Sequence, residues 1–401
     1  MPEAVIVATA RSPIGRANKG SLVDIRPDDL TAQIVRAVLD KVPQLPRNEI
    51  EDLMLGCGQP AGEQGYNAAR VIALLAGLDE VPGVTVNRYC SSSLQTIRMA
   101  AHAIKAGEGD AFIAAGVECV SRYQYGASDT APPNAQFDGA RERSKLRSAG
   151  GQPSWAPADG LPDIYIAMGQ TAENVRELEN VSRVDMDEFG ARSQQLACEN
   201  VDNGFFEREI TPVTLPDGTV VSKDDGPRPG TTAEKLAELK PAFRPDGQIT
   251  AGNACPLNDG AAAVVIMSDT RARELGITPL ARVVSSGVSG LNPEIMGLGP
   301  IEACRQALRR AGMTIDDIDL VEINEAFAAQ VLPSARHLGI SMDKLNTHGG
   351  AIALGHPFGM TGARIMTTLI NALQTDDKTF GLESMCVGGG QGMAMIVERL
   401  S

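Results

Sequence analysis

Four side chains, far apart along this 401-residue chain, could together perform nucleophilic catalysis. Cys90 precedes a predicted helix, Cys386 precedes three glycines, His356 precedes a proline, and Asn324 opens an Asn-Glu-Ala-Phe-Ala run. A thiolate is a strong nucleophile, imidazole is the commonest general base, and glycine backbone N–H groups can approach a substrate oxygen closely. We therefore treat the four as one candidate catalytic set.

Cys90 is the clearest candidate because of the elements on either side of it. Val84–Arg88 predicts a short buried strand, and the apolar spacing after Ser91 predicts an amphipathic helix that stops at Gly107. A thiol at a helix N-terminus faces unpaired N–H groups and the helix dipole. We predict that its pKa is lowered from the free value of about 8.5. The alternative is a small, buried core cysteine.

The other three groups also have structural interpretations when taken singly. A lone histidine is more often structural than catalytic, and a cysteine at the end of a strand is usually a core residue. Asn324, however, directly follows a predicted strand, at the edge where α/β sheets bind ligands. Pro357 stiffens the backbone beside His356. All four groups occupy loop positions after strands, which favours a shared site.

Composition limits the classes of protein that remain. The chain is 43% apolar and 21% charged, as in ordinary globular proteins, and its net charge of −14 argues against nucleic-acid binding or a polybasic membrane anchor. Its seven cysteines contain no CxxC pair, which argues against a zinc site or a disulfide framework. A strand predicted at Ala4–Ala8 leaves no room for a signal peptide, and no 18-residue apolar run occurs. We expect a soluble, cytoplasmic protein without metal.

Strands alternate with helices along most of the chain, which predicts an α/β fold with a largely parallel sheet. From Leu280 the order of elements at the start of the chain recurs, indicating two similar halves. An excursion beginning near Ser121 interrupts the first half, and residues 121–163 show no periodicity. The glycines between Gly56 and Gly62 faintly resemble a dinucleotide loop, but their spacing is GxGxxxG and Pro60 interrupts it.

Together these motifs resemble those of thiolases, and the resemblance covers essentially the whole chain. The motifs are the nucleophile segment Val86–Ser92, the NEAFA box Asn324–Ala328, the histidine box Gly349–Pro357 and the CxGGGxG segment Cys386–Gly392. The resemblance implies a five-layer αβαβα fold made of two duplicated halves with an inserted loop domain. The implied boundaries are 1–120 plus 251–272 for the first half, 121–250 for the loop domain and 273–401 for the second half. It also implies a homodimer or homotetramer.

The resemblance also implies a role for each catalytic group. Cys90 attacks the substrate carbonyl after activation by His356, and Cys386 acts as the acid and base at the second substrate. Asn324 holds a water that, with His356, stabilises an enolate oxygen. Backbone N–H groups of Cys90 and Gly388 stabilise the oxyanion. Coenzyme A is then a co-substrate, and no cofactor is bound permanently.

Further residues match substrate-binding positions of the family. Those implied to bind acyl-CoA or CoA are Arg228, Met168, Met296, Ala254, Cys255, Phe327 and His348. Three positions depart from the usual pattern: Ser93 replaces a common glycine, Cys255 replaces a serine that often contacts pantetheine, and His348 replaces a frequent asparagine. We interpret His348 as either a substrate-pocket residue or a structural one. A solvated loop arginine and core methionines are the alternatives for Arg228 and for Met168 and Met296.

The implied activity is thiolytic cleavage of a 3-ketoacyl-CoA, in the setting of fatty-acid β-oxidation and with a hydratase/dehydrogenase as a potential partner. One alternative is a biosynthetic acetyl-CoA C-acetyltransferase that forms acetoacetyl-CoA. Another is a ketosynthase of the same fold, which lacks the second cysteine; Cys386 and Asn324 argue against it. A third is an inactive thiolase-like scaffold subunit, which a thiol-trapping reagent or a turnover assay would distinguish.

Overall fold

The computed structural model describes residues 2–125 and 132–401. Within these ranges the chain forms twelve strands and twelve α-helices, connected in part by 3₁₀ turns. The strands are β1 (Ala4–Arg11), β2 (Gly15–Arg16), β3 (Asp52–Cys57), β4 (Gly83–Val86), β5 (Ala111–Cys119), β6 (Val213–Thr214), β7 (Val220–Val221), β8 (Asn258–Ser268), β9 (Ala281–Gly290), β10 (Leu320–Ile323), β11 (Phe380–Val387) and β12 (Gln391–Arg399). The helices are α1 (Pro27–Asp40), α2 (Ala68–Leu75), α3 (Ser92–Ala106), α4 (Asp138–Ser148), α5 (Met168–Leu178), α6 (Arg183–Asp202), α7 (Ala233–Ala237), α8 (Asp269–Glu274), α9 (Gly299–Ala311), α10 (Ala328–Leu338), α11 (Ala351–Leu354) and α12 (Thr361–Thr375).

One continuous sheet runs through both halves of the chain in the order β10-β11-β12-β9-β1-β8-β5-β3-β4. The halves join where β1 pairs with β9, through Val5 opposite Arg282 and Ile6 opposite Ala281. The expectation of a largely parallel sheet is wrong. Only β3 with β4, β3 with β5, and β10 with β11 are parallel among the described strands. The strands in the middle of the sheet are antiparallel, since β1 pairs in this way with both β8 and β9. Nearer one edge, β11 and β12 form a hairpin whose turn is too short for a parallel crossover.

Helices cover the sheet in the layer order expected of the αβαβα fold. Helices α1 and α2 pack outside the first half, and α9 and α10 pack outside the second. Helices α3 and α12 lie between the halves and pack against each other. From α3, Arg98 donates to the Ser286 hydroxyl on β9, and Lys105 donates to the Val283 carbonyl. The predicted five-layer α/β fold is confirmed.

Helix ends follow the sequence signals. Pro27 occupies the first turn of α1, where its missing N–H costs nothing. Gly107, Gly312 and Gly339 end α3, α9 and α10 with φ of 79°, 69° and 74°, the left-handed conformation that favours glycine. The predicted end of the helix after Cys90 is therefore confirmed at Gly107.

Two local predictions need correction. The strand predicted as buried over Val84–Arg88 is β4, which ends at Val86 and is only half-buried because it lies at the edge of the sheet. The segment 121–163, predicted to lack periodic structure, contains α4. This helix buries only Ala140, so its sequence carries no apolar stripe from which a helical period could be read.

Residues 121–250, the inserted segment, are tied to the chain before and after them through buried polar groups. The Arg11 guanidinium on β1 donates to Asp224 at 2.9 and 3.0 Å and to Glu209 at 3.2 Å. The Trp155 indole donates to a Glu294 carboxylate oxygen at 2.6 Å. None of the helices in the described part of the chain combines the length and apolar character needed to cross a bilayer.

Two buried carboxyl groups lie side by side beneath α12. Glu322 on β10 and Glu383 on β11 are register partners, so their side chains share one face of the sheet. Burial raises the pKa of Glu322 to about 8 against the opposing effect of the buried Arg364 guanidinium on α12. The pKa of Glu383 is also raised, by burial and then by Glu322. One guanidinium thus faces two carboxyl groups.

Candidate active site

Cys90 lies in a tight turn between the edge strand β4 and helix α3. The chain makes one 3₁₀ turn over Tyr89–Ser91, which the Asn87 side chain supports by accepting the Tyr89 N–H at 2.8 Å. Tyr89 has φ of +43°, a left-handed conformation that is uncommon outside glycine. The Ser92 hydroxyl accepts the Arg88 N–H at 2.9 Å and donates to the Tyr89 carbonyl at 2.7 Å. This turn presents the thiol at the start of α3.

The predicted lowering of the Cys90 pKa is wrong. Burial raises the pKa of the thiol to about 12, although hydrogen bonds from the backbone N–H groups of Gly388 and of Cys90 itself oppose this rise. Cys90 is only 9% exposed, so loss of hydration outweighs the helix N-terminus. The Cys90 thiol is therefore protonated at neutral pH.

Cys386 is the last residue but one of β11, and a glycine turn follows the strand. Gly389 and Gly390 have φ of 76° and 79°, and a Cβ on Gly390 would lie 2.2 Å from the Leu291 carbonyl oxygen, so the turn requires glycine. Cys386 is fully buried. Its pKa is raised well above the ordinary value by burial and then by the neighbouring thiols of Cys90 and Cys255. Three thiols therefore share one site.

His356 sits on a loop that backbone hydrogen bonds fix in place. Its N–H donates to the Asn258 side-chain oxygen at 3.0 Å, and the Asn258 amide donates to the Gly15 carbonyl at 3.0 Å. Gly355 has φ of +112°, and a Cβ there would lie 2.6 Å from the Asn258 side chain. Burial, and then the Arg364 charge, lower the pKa of His356 to about 3. The imidazole is neutral at physiological pH and able to accept a proton.

Asn324 lies against the His356 ring. Its amide nitrogen is 3.3 Å from His356 Nε2 and 3.5 Å from Nδ1, so it packs over the ring rather than in line with either lone pair. Two hydrogen bonds hold the Asn324 backbone. Its N–H donates to the Ser384 carbonyl at 2.9 Å, and its carbonyl accepts from the Gln330 side-chain amide at 2.7 Å. Asn324 Oδ1 is buried and has no hydrogen-bond partner among the described residues. It is free to accept from a substrate group or a water.

The next residue, Glu325, joins the NEAFA box to the histidine box. Its buried carboxylate accepts from the Ser193 hydroxyl at 2.6 Å, the Asn346 amide at 2.9 Å and the Ile352 N–H at 3.0 Å. A Cβ on Gly350 would lie 2.1 Å from this carboxylate, so the glycine lets the two segments approach. The Glu325 side chain thus holds the NEAFA box against the histidine box.

Five of the predicted substrate residues cluster beside these groups. Ala254 pairs with Phe327, and the Cys255 N–H donates to the Ala326 carbonyl at 3.0 Å. The Met168 sulfur lies close to Gly388, at 3.7 Å from an ideal Cβ position there. Met296 is 1% exposed and packs in the same apolar cluster as Ala254 and Phe327.

The other two predicted residues are His348 and Arg228. The His348 ring stacks on Phe205 at 4.0 Å, and its Nε2 is 3.8 Å from Asp376 at the far end of α12. Since α12 is 15 residues long, about 22 Å of helix separates His348 from His356. These contacts favour the structural interpretation. Arg228 lies on the inserted segment, where its backbone N–H donates to Gln194 at 2.8 Å.

Sequence reasoning missed three residues near the site. Thr361 Oγ1 is hydrogen-bonded to His356 Nδ1 at 2.6 Å. The buried Glu118 carboxylate accepts the Gly359 N–H at 2.9 Å. The Tyr89 ring packs against Gly388, 3.5 Å from an ideal Cβ position. Thr361 and Gly359 follow His356 by five and three residues, and this closeness along the chain could have indicated that they lie near the site. No residue next to Glu118 in the sequence indicated its role.

Family profiles match nearly the whole chain. The profile described as "Thiolase, N-terminal domain" matches residues 4–270, and "Thiolase, C-terminal domain" matches residues 277–399. The chain belongs to the thiolase family. The 3-ketoacyl-CoA thiolase of Bacillus subtilis is 44% identical over 99% of this thiolase and 100% of its own length. A beta-ketoadipyl-CoA thiolase of Acinetobacter baylyi is 43% identical, with full coverage of both chains.

Solved structures agree with this membership. The dimeric peroxisomal thiolase of Saccharomyces cerevisiae is 37% identical and superposes with a TM-score of 0.89, covering 100% of this thiolase and 98% of the yeast chain. The acetyl-CoA acetyltransferase of Bacillus anthracis is 38% identical, with a TM-score of 0.86 and coverage of 100% and 99%.

Proposed function

We propose that this thiolase cleaves a 3-ketoacyl-CoA with free CoA, giving acetyl-CoA and an acyl-CoA shortened by two carbons, through an acyl-enzyme on Cys90. The observation that supports this most is that the buried thiols of Cys90 and Cys386 are close enough to affect each other electrostatically, while Asn324 contacts the neutral His356 ring and bonds to Ser384, two residues before Cys386. Relatives that match the chain from end to end are named 3-ketoacyl-CoA thiolase.

In the first half-reaction, Cys90 sulfur adds to the C3 carbonyl while its proton passes to His356. The C2–C3 bond then breaks, and its electron pair stays on C2 as the enolate of acetyl-CoA. Cys386 donates its proton to C2, and acetyl-CoA leaves. Because burial disfavours imidazolium, His356 returns its proton readily in the second half-reaction.

In the second half-reaction, the Cys386 thiolate takes the proton from the CoA thiol. The CoA sulfur attacks the acyl group on Cys90, and Cys90 leaves and recovers its proton from His356. The N–H groups of Cys90 and Gly388 stabilise the oxyanion, an interaction that typically contributes about 3–4 kcal/mol per donor. Asn324, through a water, and His356 stabilise the enolate oxygen.

We assign the acyl group to the wall formed by Met168, Met296 and Phe327, and pantetheine to Ala254 and Cys255. Arg228 is assigned to the CoA phosphates. Its guanidinium forms no ion pair with any described carboxylate, and Arg16 lies near enough to lower the Arg228 pKa further after burial. Two neighbouring cations without a carboxylate suit an anionic ligand.

For its biological setting we propose fatty-acid β-oxidation, with a homodimer or homotetramer as the working form and a hydratase/dehydrogenase as partner. The half-buried edge strand β4 leaves hydrogen-bonding groups available for a second copy.

The test is kinetics across a length series of 3-ketoacyl-CoA substrates, in both thiolysis and condensation. Mass spectrometry after brief exposure to substrate locates the acyl group. We expect the adduct on Cys90 and efficient thiolysis beyond four carbons. An adduct on Cys386 or Cys57 alone would contradict the role assignment, and activity confined to acetoacetyl-CoA would favour the biosynthetic acetyltransferase instead.

A further inference from the structure

Among the described residues, one oxygen atom lies within hydrogen-bonding distance of the His356 ring nitrogens. Thr361 Oγ1 lies 2.6 Å from His356 Nδ1 and 2.8 Å from the Pro357 carbonyl oxygen. Thr361 is fully buried and His356 is 1% exposed, so neither group can exchange this partner freely for bulk water. The Asn324 amide nitrogen, over the ring, cannot substitute for an in-plane hydrogen bond.

The hydrogens in this arrangement can be assigned by elimination. Two oxygen atoms 2.8 Å apart repel unless a hydrogen lies between them, and the Pro357 carbonyl has none to give. The threonine hydroxyl hydrogen therefore points to Pro357, four residues earlier, a pattern that threonine commonly forms in helices. Thr361 Oγ1 is left with lone pairs only, so the short contact to His356 requires a proton on Nδ1.

We propose that Thr361 is a positioning residue that holds neutral His356 as the Nδ1–H tautomer and leaves the Nε2 lone pair to receive a proton. This inference rests on the proposed function in one respect, namely that the acceptor serves Cys90. The hydroxyl acts twice: it selects the tautomer, and it fixes the ring orientation relative to the backbone of its own loop.

The experiment is nitrogen NMR on protein labelled with ¹⁵N only at histidine. The chain has four histidines, so the spectrum is simple, and His356→Gln assigns the relevant signals. In the unsubstituted protein at neutral pH we expect His356 to show a protonated Nδ1 and an unprotonated Nε2. A protonated Nε2 with a bare Nδ1 would overturn the proposal without any variant.

Two variants test the role of the hydroxyl. Thr361→Val keeps the shape and removes the oxygen; we expect a mixture of tautomers and slower Cys90 acylation, within the factor of about 10²–10⁴ that a positioned base contributes. Thr361→Ser restores the hydroxyl, and we expect it to recover both the NMR pattern and the rate. An unchanged tautomer in Thr361→Val, or failure of Thr361→Ser to restore it, would overturn the proposal.

A different result would contradict the proposed function without contradicting the role of Thr361. If His356→Gln acylated Cys90 at the unsubstituted rate, His356 would not be the base, whatever its tautomer. The NMR result would then stand as a structural fact about Thr361.

Discussion

The Glu118 carboxylate accepts the Gly359 backbone N–H at 2.9 Å and so clamps the loop that carries His356 three residues earlier. The same Oε2 accepts the Gly58 N–H at 2.7 Å, and Oε1 accepts the Gln64 amide at 2.7 Å. A Cβ on Gly359 would lie 2.1 Å from the Val117 carbonyl. The close approach of this loop to β5 thus depends on both residues.

Replacing Glu118 with glutamine puts an NH₂ group where N–H donors converge. We expect Glu118→Gln to lower the free energy of unfolding by about 1–3 kcal/mol, because at least one buried donor loses its acceptor. We also expect kcat to fall, since the His356 loop loses its anchor. Urea unfolding and steady-state kinetics measure these effects.

A matched control is Glu49→Gln, which removes a carboxylate paired with Arg271 at 2.7 Å in a half-exposed position. Because water screens an exposed pair of this kind, we expect this change to alter the free energy of unfolding very little and to leave kcat unchanged. Equal effects of the two substitutions would show that Glu118 is not a specific anchor.

If Cys90 and Cys386 have the proposed catalytic roles, replacing each by serine should remove a different step of the reaction. Cys90→Ser should abolish acyl-enzyme formation, because a hydroxyl is much harder to deprotonate than a thiol. Cys386→Ser should still accept an acyl group on Cys90 from acyl-CoA, yet lose exchange of the acetyl-CoA α-hydrogen by about 10²–10⁴-fold.

Deuterium wash-in to acetyl-CoA, followed by NMR, measures that exchange. Its persistence at the unsubstituted rate in Cys386→Ser would mean that another group is the base. Cys304→Ser is the control: this thiol is buried within the second half, on α9, and we expect exchange to continue.

Arg228→Ala should raise the KM for CoA and leave kcat nearly constant, the pattern of lost uniform binding. The control is Arg141→Ala on the exposed face of α4, where Arg141 pairs with Asp138. A fall in kcat with an unchanged KM would assign Arg228 a different role.

The Glu322 and Glu383 pair should make stability depend on pH in an unusual direction. The folded pKa of Glu322, about 8, is above its ordinary value, so the native state binds an extra proton between about pH 4.5 and 8. Stability from this site is therefore full below about pH 4.5, falls as the pH rises from there to 8, and levels off above 8. Glu322→Gln should remove that loss, on the order of a few kcal/mol by pH 9.

Urea unfolding of both proteins from pH 5 to 9 gives the difference directly. Parallel stability curves for Glu322→Gln and the unsubstituted protein would contradict the prediction. Because the two carboxyl groups titrate together, the midpoint belongs to the pair.

Motifs in the sequence predicted much of this site, because Cys90, Asn324, His356 and Cys386 each lie in a run with distinctive neighbours. The pKa of Cys90 could not be predicted in the same way. The position between a strand and a helix indicates a helix dipole that favours the thiolate. The larger effect is the cost of burying that thiolate, which depends on the packing of Cys386, the glycine turn and α12 around Cys90. Sequence periodicity shows the first effect only.

His348 shows the opposite limitation. It lies only eight residues before His356, and its match to a family position gave a substrate-pocket role as one of its two interpretations. The short helix α11 and the strained Gly355 turn the chain between them, so their side chains point to opposite ends of α12. Local spacing predicts elements well, but it does not predict which end of an element a loop reaches.

The position of β1 between β8 and β9 has a consequence for synthesis of the chain. All eight residues of β1 are buried, and the first strand that pairs along it, β8, begins at Asn258; before that, only its last residue, Arg11, finds backbone partners, at Glu209 and Thr211. At about 5–20 residues per second, a ribosome needs roughly 10–50 s to make that neighbour after β1 emerges. We expect the nascent chain to expose an unpaired apolar strand throughout this interval, which makes it a natural client for chaperones that act on the ribosome.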